Sequence, residues 1–272
     1  MSLRETTQHL LLRHGVTLEP SMDEQQLVDE KAIACLVGSV EVESGDVVVE
    51  VGPGAGNITE PLLSVAQRVV AVEKSLRFVP VLLDRFRGAT RLEIIIGDAL
   101  TADIPAHDRL VSNLPYMIAE AMLSRLPRLG FKRASLIVPE GLGERLTTSI
   151  GSAGYTKLSH FAQLFYTISH VCTVLPSSYM PEPGTSTWIV SLTPRSPRGQ
   201  GEYAVRELVL QRGKLVKNAL REAIIRAGAC GTKREARSTL ARLHLPDRVM
   251  AKSVSRLTLR EILLLNDALR AP

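Results

Sequence analysis

The sequence lacks what a secreted, metal-bound or membrane-embedded chain would carry. It has three cysteines, Cys35, Cys172 and Cys230, an odd and scattered set with no Cys-x-x-Cys spacing. That argues against a disulfide framework and predicts reduced, structural thiols. No group of His, Cys and carboxylates has the spacing of metal ligands, so no metal is expected. No stretch approaches the ~18 apolar residues of a membrane helix. The opening MSLRETTQHLLLRHG is not a signal peptide: its apolar patch is short, and Arg and His follow at once. Repeats and low-complexity tracts are missing too. These absences predict a cytoplasmic protein with no membrane partner.

What is present is an ordinary globular composition, 45% apolar and 22% charged over 272 residues, enough for two domains. The charge is unevenly placed. Residues 1–200 carry 18 Lys and Arg against 21 Asp and Glu; residues 201–272 carry 15 against 7. The basic surplus of the last segment points to a polyanion, nucleic acid first, with a solvated helical face as the plainer alternative.

The periodicity predicts helices over Glu5–Arg13 and residues 24–38. From Val47 to about residue 140, apolar runs (47–52, 68–73, 92–100, 109–116, 134–139) alternate with helical stretches. That alternation predicts an α/β fold, a doubly wound parallel sheet with helices on both faces. FAQLFYTISHVCTVLP and TSTWIVSLTP are β-rich and predict an antiparallel hairpin closing the sheet. PRSPRGQG reads as a linker. A long basic helix over 203–228 and shorter helices follow. The expected domains are 1–196, with an N-terminal helical segment 1–44, and a small basic helical domain 197–272.

Gly52, Gly54 and Gly56 lie between the first strand and its helix. Glycines there permit a tight turn and close approach of a ligand to the backbone. Nicotinamide, flavin and S-adenosylmethionine proteins all use such a turn. Three acids favour S-adenosylmethionine: Glu50 just before the turn, Glu73 at the end of the second strand, placed for ribose hydroxyls, and Asp98 with Ala99 at the end of the third, placed for an adenine edge. Glu73 also argues against a 2′-phosphate, though not against NAD.

Asn113-Leu114-Pro115-Tyr116 ends the fourth strand, where ligands bind in such sheets. Methylating an amine on a flat ring requires its lone pair to be freed from the ring. An Asn side-chain oxygen and a backbone carbonyl can each accept one N–H. Proline presents the preceding carbonyl rigidly and has no N–H of its own, and an adjacent tyrosine can stack on the ring. A plain strand-end turn is the alternative.

In these motifs the chain resembles the ribosomal RNA adenine dimethyltransferases of the KsgA type, relatives of the erythromycin-resistance methylases and mitochondrial transcription factor B. The resemblance rests on Gly52–Gly56, Gly97-Asp98-Ala99-Leu100 and Asn113–Tyr116. It continues through Glu140 and Arg145, Tyr155 to Ser159, the proline motif Pro176-Ser-Ser-Tyr179-Met-Pro181-Glu-Pro183, and residues 248–264. It implies a Rossmann-like methyltransferase sheet, S-adenosylmethionine as cofactor and adenine amines of small-subunit ribosomal RNA as substrate. Asn113 and the Leu114 carbonyl would hold the amine, with Tyr116 and Tyr179 sandwiching the base. The implied cofactor set is Gln25, Leu27, Glu50, Gly52, Gly54, Gly56, Glu73, Lys74, Asp98, Ala99 and Asn113. Arg212, Lys214, Lys217 and Arg221 would meet phosphates, with Arg234, Arg237 and Arg242 as further candidates. A monomer is expected.

The chain departs from the family pattern most at Met22–Gln26. There Asp23, Glu24 and Gln26 replace Gly, Gln and Phe, and Gln25 is the candidate to stand in for the lost Gln. Ala121 and Pro139 replace a Pro and a Gln. An acidic 22–26 stretch should repel phosphate. It keeps open a same-fold methyltransferase acting on a non-rRNA amine, and, less well matched to an intact Asn-Leu-Pro-Tyr, a non-catalytic RNA assembly factor.

Overall fold

A computed structural model describes residues 1–270. They group into two units, residues 1–147 with 167–194, and residues 148–166 with 195 onward. The last break, after residue 194, falls two residues before the division read from the sequence. Residues 148–166, read there with the first domain, group with the second because the helix Lys157–Phe165 gives Phe161, Leu164 and Phe165 to its apolar core.

The first unit is built on nine strands: β1 (Gln26–Leu27), β2 (Val47–Val51), β3 (Arg68–Glu73), β4 (Leu92–Ile96), β5 (Arg109–Asn113), β6 (Arg133–Pro139), β7 (Tyr166–Val174), β8 (Tyr179–Met180) and β9 (Thr187–Pro194). Seven form one sheet in the order β4-β3-β2-β5-β6-β9-β7. Strands β2 to β6 are parallel, and β9 runs antiparallel to β6, with Ile137 opposite Ile189. The near-continuous Val and Ile of β2 and β3 suit strands buried on both faces. Strand order reverses between β2 and β5. The crevice at their carboxyl ends is where such sheets hold ligands, and Val51 lies opposite Ser112, so the glycine turn and Asn113 leave the sheet side by side.

Three expectations change. The helix expected over 24–38 begins at Glu30, because the Asp29 side chain caps it by accepting the amide of Lys31 at 2.9 Å. Residues 26–27 instead form β1, paired antiparallel with β8. FAQLF is the end of the helix Lys157–Phe165, opened by a Thr156–Ser159 capping box, and not strand. The long 203–228 helix is two helices, Gly199–Val209 and Val216–Arg226. They are parted by a turn through Gly213, where Leu215 is extended and the Val216 amide bonds to Lys252.

Trp188 packs as expected. It stacks on His170 with ring centres 4.1 Å apart, and a Cβ on Gly143 would lie 2.6 Å from its indole. The free thiols of Cys35 and Cys172 are far apart in sequence but not in space: their sulfurs lie 2.6 Å apart, and burial pushes the Cys172 thiol up to about 12. Among the described residues no helix is long and apolar enough to cross a membrane, and no three His, Cys, Asp or Glu cluster as a metal site.

The second unit is helical. Val205, Leu208, Ala219, Leu220, Ile224 and Leu265 form the middle of its core. Glu202 is buried among them, 2.8 Å from Arg195 and 3.0 Å from Arg206, so the buried charge is compensated.

Candidate cofactor and amine site

The glycine turn needs its glycines. Gly52, Gly54 and Gly56 have φ of 70, 54 and 85°, a left-handed range that side chains disfavour. A Cβ on Gly56 would sit 2.5 Å from the Phe86 ring, and one on Gly54 would run into the Gln26 amide. The turn therefore lies flat against its surroundings and leaves a cavity of about 470 Å³ in front of it. Gln25, Leu27, Gly52, Gly54, Glu73, Lys74, Asp98, Ala99 and Asn113, all expected at a cofactor, border this cavity.

The acids are set by backbone amides. Glu73 accepts Gly54 N–H at 3.1 Å and Ser75 N–H at 2.7 Å; burial nonetheless raises its pKa. Asp98 accepts Leu100 N–H at 2.8 Å and pairs with Lys74 at 2.9 Å, and both hold its carboxyl below the usual range. Each bonded oxygen keeps a lone pair for a ribose hydroxyl or an amine. The Ala99 carbonyl accepts from Arg125 at 2.8 Å, which steadies the far wall. S-adenosylmethionine fits this donor set: carboxylates at two strand ends, beside a glycine turn that borders the same cavity.

Glu50 does not border the cavity. It lies beneath the turn, 1% exposed, accepting the Thr59 hydroxyl at 2.6 Å, with its other oxygen unpartnered. Burial pushes its pKa up to about 8, so it is a neutral acid at neutral pH. Glu50 holds the first residue of the helix that follows the turn, and it does not border the cavity.

At the end of β5, Asn113 donates its side-chain amide to the Gln25 carbonyl at 3.1 Å. That fixes which way the amide faces and leaves its oxygen as an acceptor. Leu114 is buried and its amide joins β6 through Ile137; Pro115 borders the cavity. Tyr116 opens the turn Tyr116–Ile118 and faces a second cavity, about 690 Å³, lined also by Pro139, Glu140, Glu144 and Arg145. Met117 borders both cavities.

Tyr179 is elsewhere than expected. It is 1% exposed, its hydroxyl lies 2.5 Å from the Thr187 hydroxyl, and it belongs to the core cluster with Leu27 and Ile189. The β1–β8 pairing, Leu27 opposite Tyr179, ties it there. It lines neither cavity, so in this conformation it has no open face for a base.

The 22–26 stretch also reads differently in space. Glu24 is buried, accepts the Glu19 amide at 2.9 Å and faces Arg77 at 3.5 Å, and Asp23 accepts the Met117 amide at 2.8 Å. Glu24 is thereby engaged inside the fold, while Asp23 makes its bond to Met117 at the exposed surface. Gln26, counted as a mismatch, accepts Ala55 N–H at 2.8 Å and so braces the glycine turn; Asn57 donates to the Leu27 carbonyl at 2.8 Å. Neither role has a signal in one sequence, since both depend on segments meeting from about 30 positions apart.

Of the cations expected at phosphates, Lys214 pairs with Glu222 at 2.6 Å and Arg221 is half-buried. Arg212 sits in the turn between the two helices, and its carbonyl accepts the Ser253 hydroxyl at 3.0 Å. Lys217 is exposed. So are Lys233, Arg234, Arg237 and Arg242 on the helix Lys233–Arg242, which buries only Ala236.

The family model described as ribosomal RNA adenine dimethylase matches residues 17–255. A probable ribosomal RNA small subunit methyltransferase A of Methanothermobacter thermautotrophicus is 30% identical over 219 residues, 80% of each chain. The protein of the same description from Methanococcoides burtonii is 32% identical over 204 residues, 73% of this chain and 76% of that one. Among solved structures, a dimethyladenosine transferase from Plasmodium falciparum superposes with a TM-score of 0.60 at 23% identity, covering 87% of this chain and 94% of that one. The 23S rRNA methyltransferase ErmE gives 0.61 at 21%, covering 90% and 99%. Both share the fold.

Proposed function

The chain belongs to the ribosomal RNA adenine dimethylase family, and from that premise we propose that it transfers two methyl groups to the exocyclic amine of adenines in small-subunit ribosomal RNA. The cofactor is S-adenosylmethionine, which when bound supplies a methyl group on a sulfonium.

The observation that carries the reading is Asn113. It borders the cavity of the glycine turn, and its amide nitrogen is already committed to the Gln25 carbonyl. Its oxygen is thereby left to accept one N–H of the target amine, with the Leu114 carbonyl taking the other. Holding both hydrogens turns the nitrogen lone pair out of conjugation and toward the cofactor cavity. Tyr116 stacks on the base in the neighbouring cavity. No strong base is required, since the methylated nitrogen sheds its proton to solvent; the catalytic gain comes from placement and exclusion of water. Exposed cations of the helical unit meet RNA phosphates. We infer a cytoplasmic monomer acting on an assembling subunit.

The test is methyl transfer from labelled S-adenosylmethionine to immature small-subunit particles, with Asn113→Ala as control and cofactor binding measured by calorimetry. Tight cofactor binding with no label in RNA would sink the substrate assignment. RNA binding with no cofactor affinity would sink the enzyme.

A further inference from the structure

We propose that Asp23 is a positioning residue for the proposed reaction: its carboxylate pins the Tyr116–Ile118 turn between the two cavities. The role rests on the function proposed above, because that turn begins with the tyrosine assigned to the base.

Packing leaves the middle of the turn open: Leu114 before it and Ala119 after it are buried, Tyr116 and Ile118 are half-buried, and Met117 between them is 78% exposed. Pro115 has no amide to contribute. Within the turn, Ile118 N–H bonds to the Pro115 carbonyl at 3.1 Å. From outside, the Met117 amide reaches Asp23 Oδ2 at 2.8 Å, across 94 positions of sequence.

Asp23 is built to deliver that bond. It ends the short turn Pro20–Met22 with φ 57° and ψ 34°, a left-handed conformation that costs most residues energy but that Asp and Asn tolerate. Its own amide bonds to the Pro20 carbonyl at 3.2 Å. The reversal points its side chain at Met117. Two residues on, the Gln25 carbonyl takes the Asn113 amide. Segment 23–25 thus grips the amine-holding stretch at both ends, at Asn113 through a carbonyl and at Met117 through a carboxylate. A carboxylate accepting an amide is the stronger kind of hydrogen bond.

The backbone preference and the hydrogen bond can be separated. Asp23→Gly keeps the left-handed conformation at no steric cost and removes the acceptor; Asp23→Asn keeps both the conformation and an acceptor oxygen. The readouts are amide hydrogen exchange at Met117 by NMR, and kcat together with cofactor Kd. Asp23→Gly should speed Met117 exchange at least tenfold and lower kcat about tenfold, with cofactor Kd within threefold of wild type. Asp23→Asn should restore both exchange and kcat to within about threefold. Exchange or kcat in Asp23→Gly equal to wild type would overturn the proposal, as would Asp23→Asn failing alongside it. A wild-type protein that methylates no RNA would sink the substrate assignment alone; Met117 exchange would still decide whether Asp23 holds the turn.

Discussion

Around the cofactor cavity three acids each take a backbone amide: Glu73 from Gly54 and Ser75, Asp98 from Leu100 beside its pair with Lys74, Asp23 from Met117. In the helical unit charges answer one another, Lys214 with Glu222, Arg226 with Glu207, Glu202 with Arg195 and Arg206, and a surplus of cations on Lys233–Arg242 faces water. A backbone amide is placed by the fold to within fractions of an ångström and is not screened. A surface cation is long, mobile and weakened by salt. One region is thus suited to fixing the geometry of a reaction, the other to a salt-dependent grip that tolerates many poses.

The comparison can be broken from the rigid side first. Asn113→Ala should lower turnover by about a hundredfold or more while cofactor affinity, by calorimetry, changes less than about fivefold; equal losses would mean that Asn113 serves the cofactor and not the amine. On the basic side, replacing Lys233, Arg234 and Arg237 together by Ala should weaken RNA binding on the order of tenfold. It should also flatten the slope of log K against log salt by about 3. An unchanged slope would make that helix a solvated face.

Glu50 sharpens the contrast, because no backbone amide answers it. Its folded pKa of about 8 lies above the ordinary 4.5, so the native state keeps a proton that the unfolded chain loses. The stability that goes with this is full below pH 4.5 and is lost as pH rises through 8. Glu50→Gln should remove that decline and raise Tm at pH 8.5 by on the order of 5 °C, read by calorimetry. A mutant curve parallel to wild type would show that Glu50 is not the titrating group. The smallest effect belongs to Lys214→Ala, whose cation is already paired with Glu222. RNA affinity should change less than about twofold, and a large loss would overturn the division between paired and open cations.

Much of the cavity was legible in the sequence because it follows from local rules. Alternating apolar runs and helices define a doubly wound sheet, glycines mark where its first strand turns, and acids at strand ends point into the crevice. The placement of Asn113 and Tyr116 at the end of the fourth long strand, beside the two cavities, was legible for the same reason. What escaped depends on distant segments meeting. Tyr179 was assigned to the base from a local motif, yet its pairing with Leu27 turns it into the core. By position alone Gln26 counts as a mismatch, yet its amide oxygen accepts from Ala55. The break in the 203–228 helix escaped because its basic, amphipathic pattern continues through Gly213, and only Lys252 arriving from elsewhere claims the Val216 amide. Cation pairing was illegible for a similar reason: whether Lys214 is open depends on a rotamer of Glu222.

The two-residue pairing of β1 with β8 has a consequence for anyone exchanging parts between relatives. Gln26 and Leu27 lie opposite Met180 and Tyr179, so the strip that braces the glycine turn hangs from the proline motif. Transplanting residues 17–28 from another chain would leave that strip without its matching hook. A working chimera would have to carry residues 176–183 with it, making two stretches 150 positions apart a single interchangeable module.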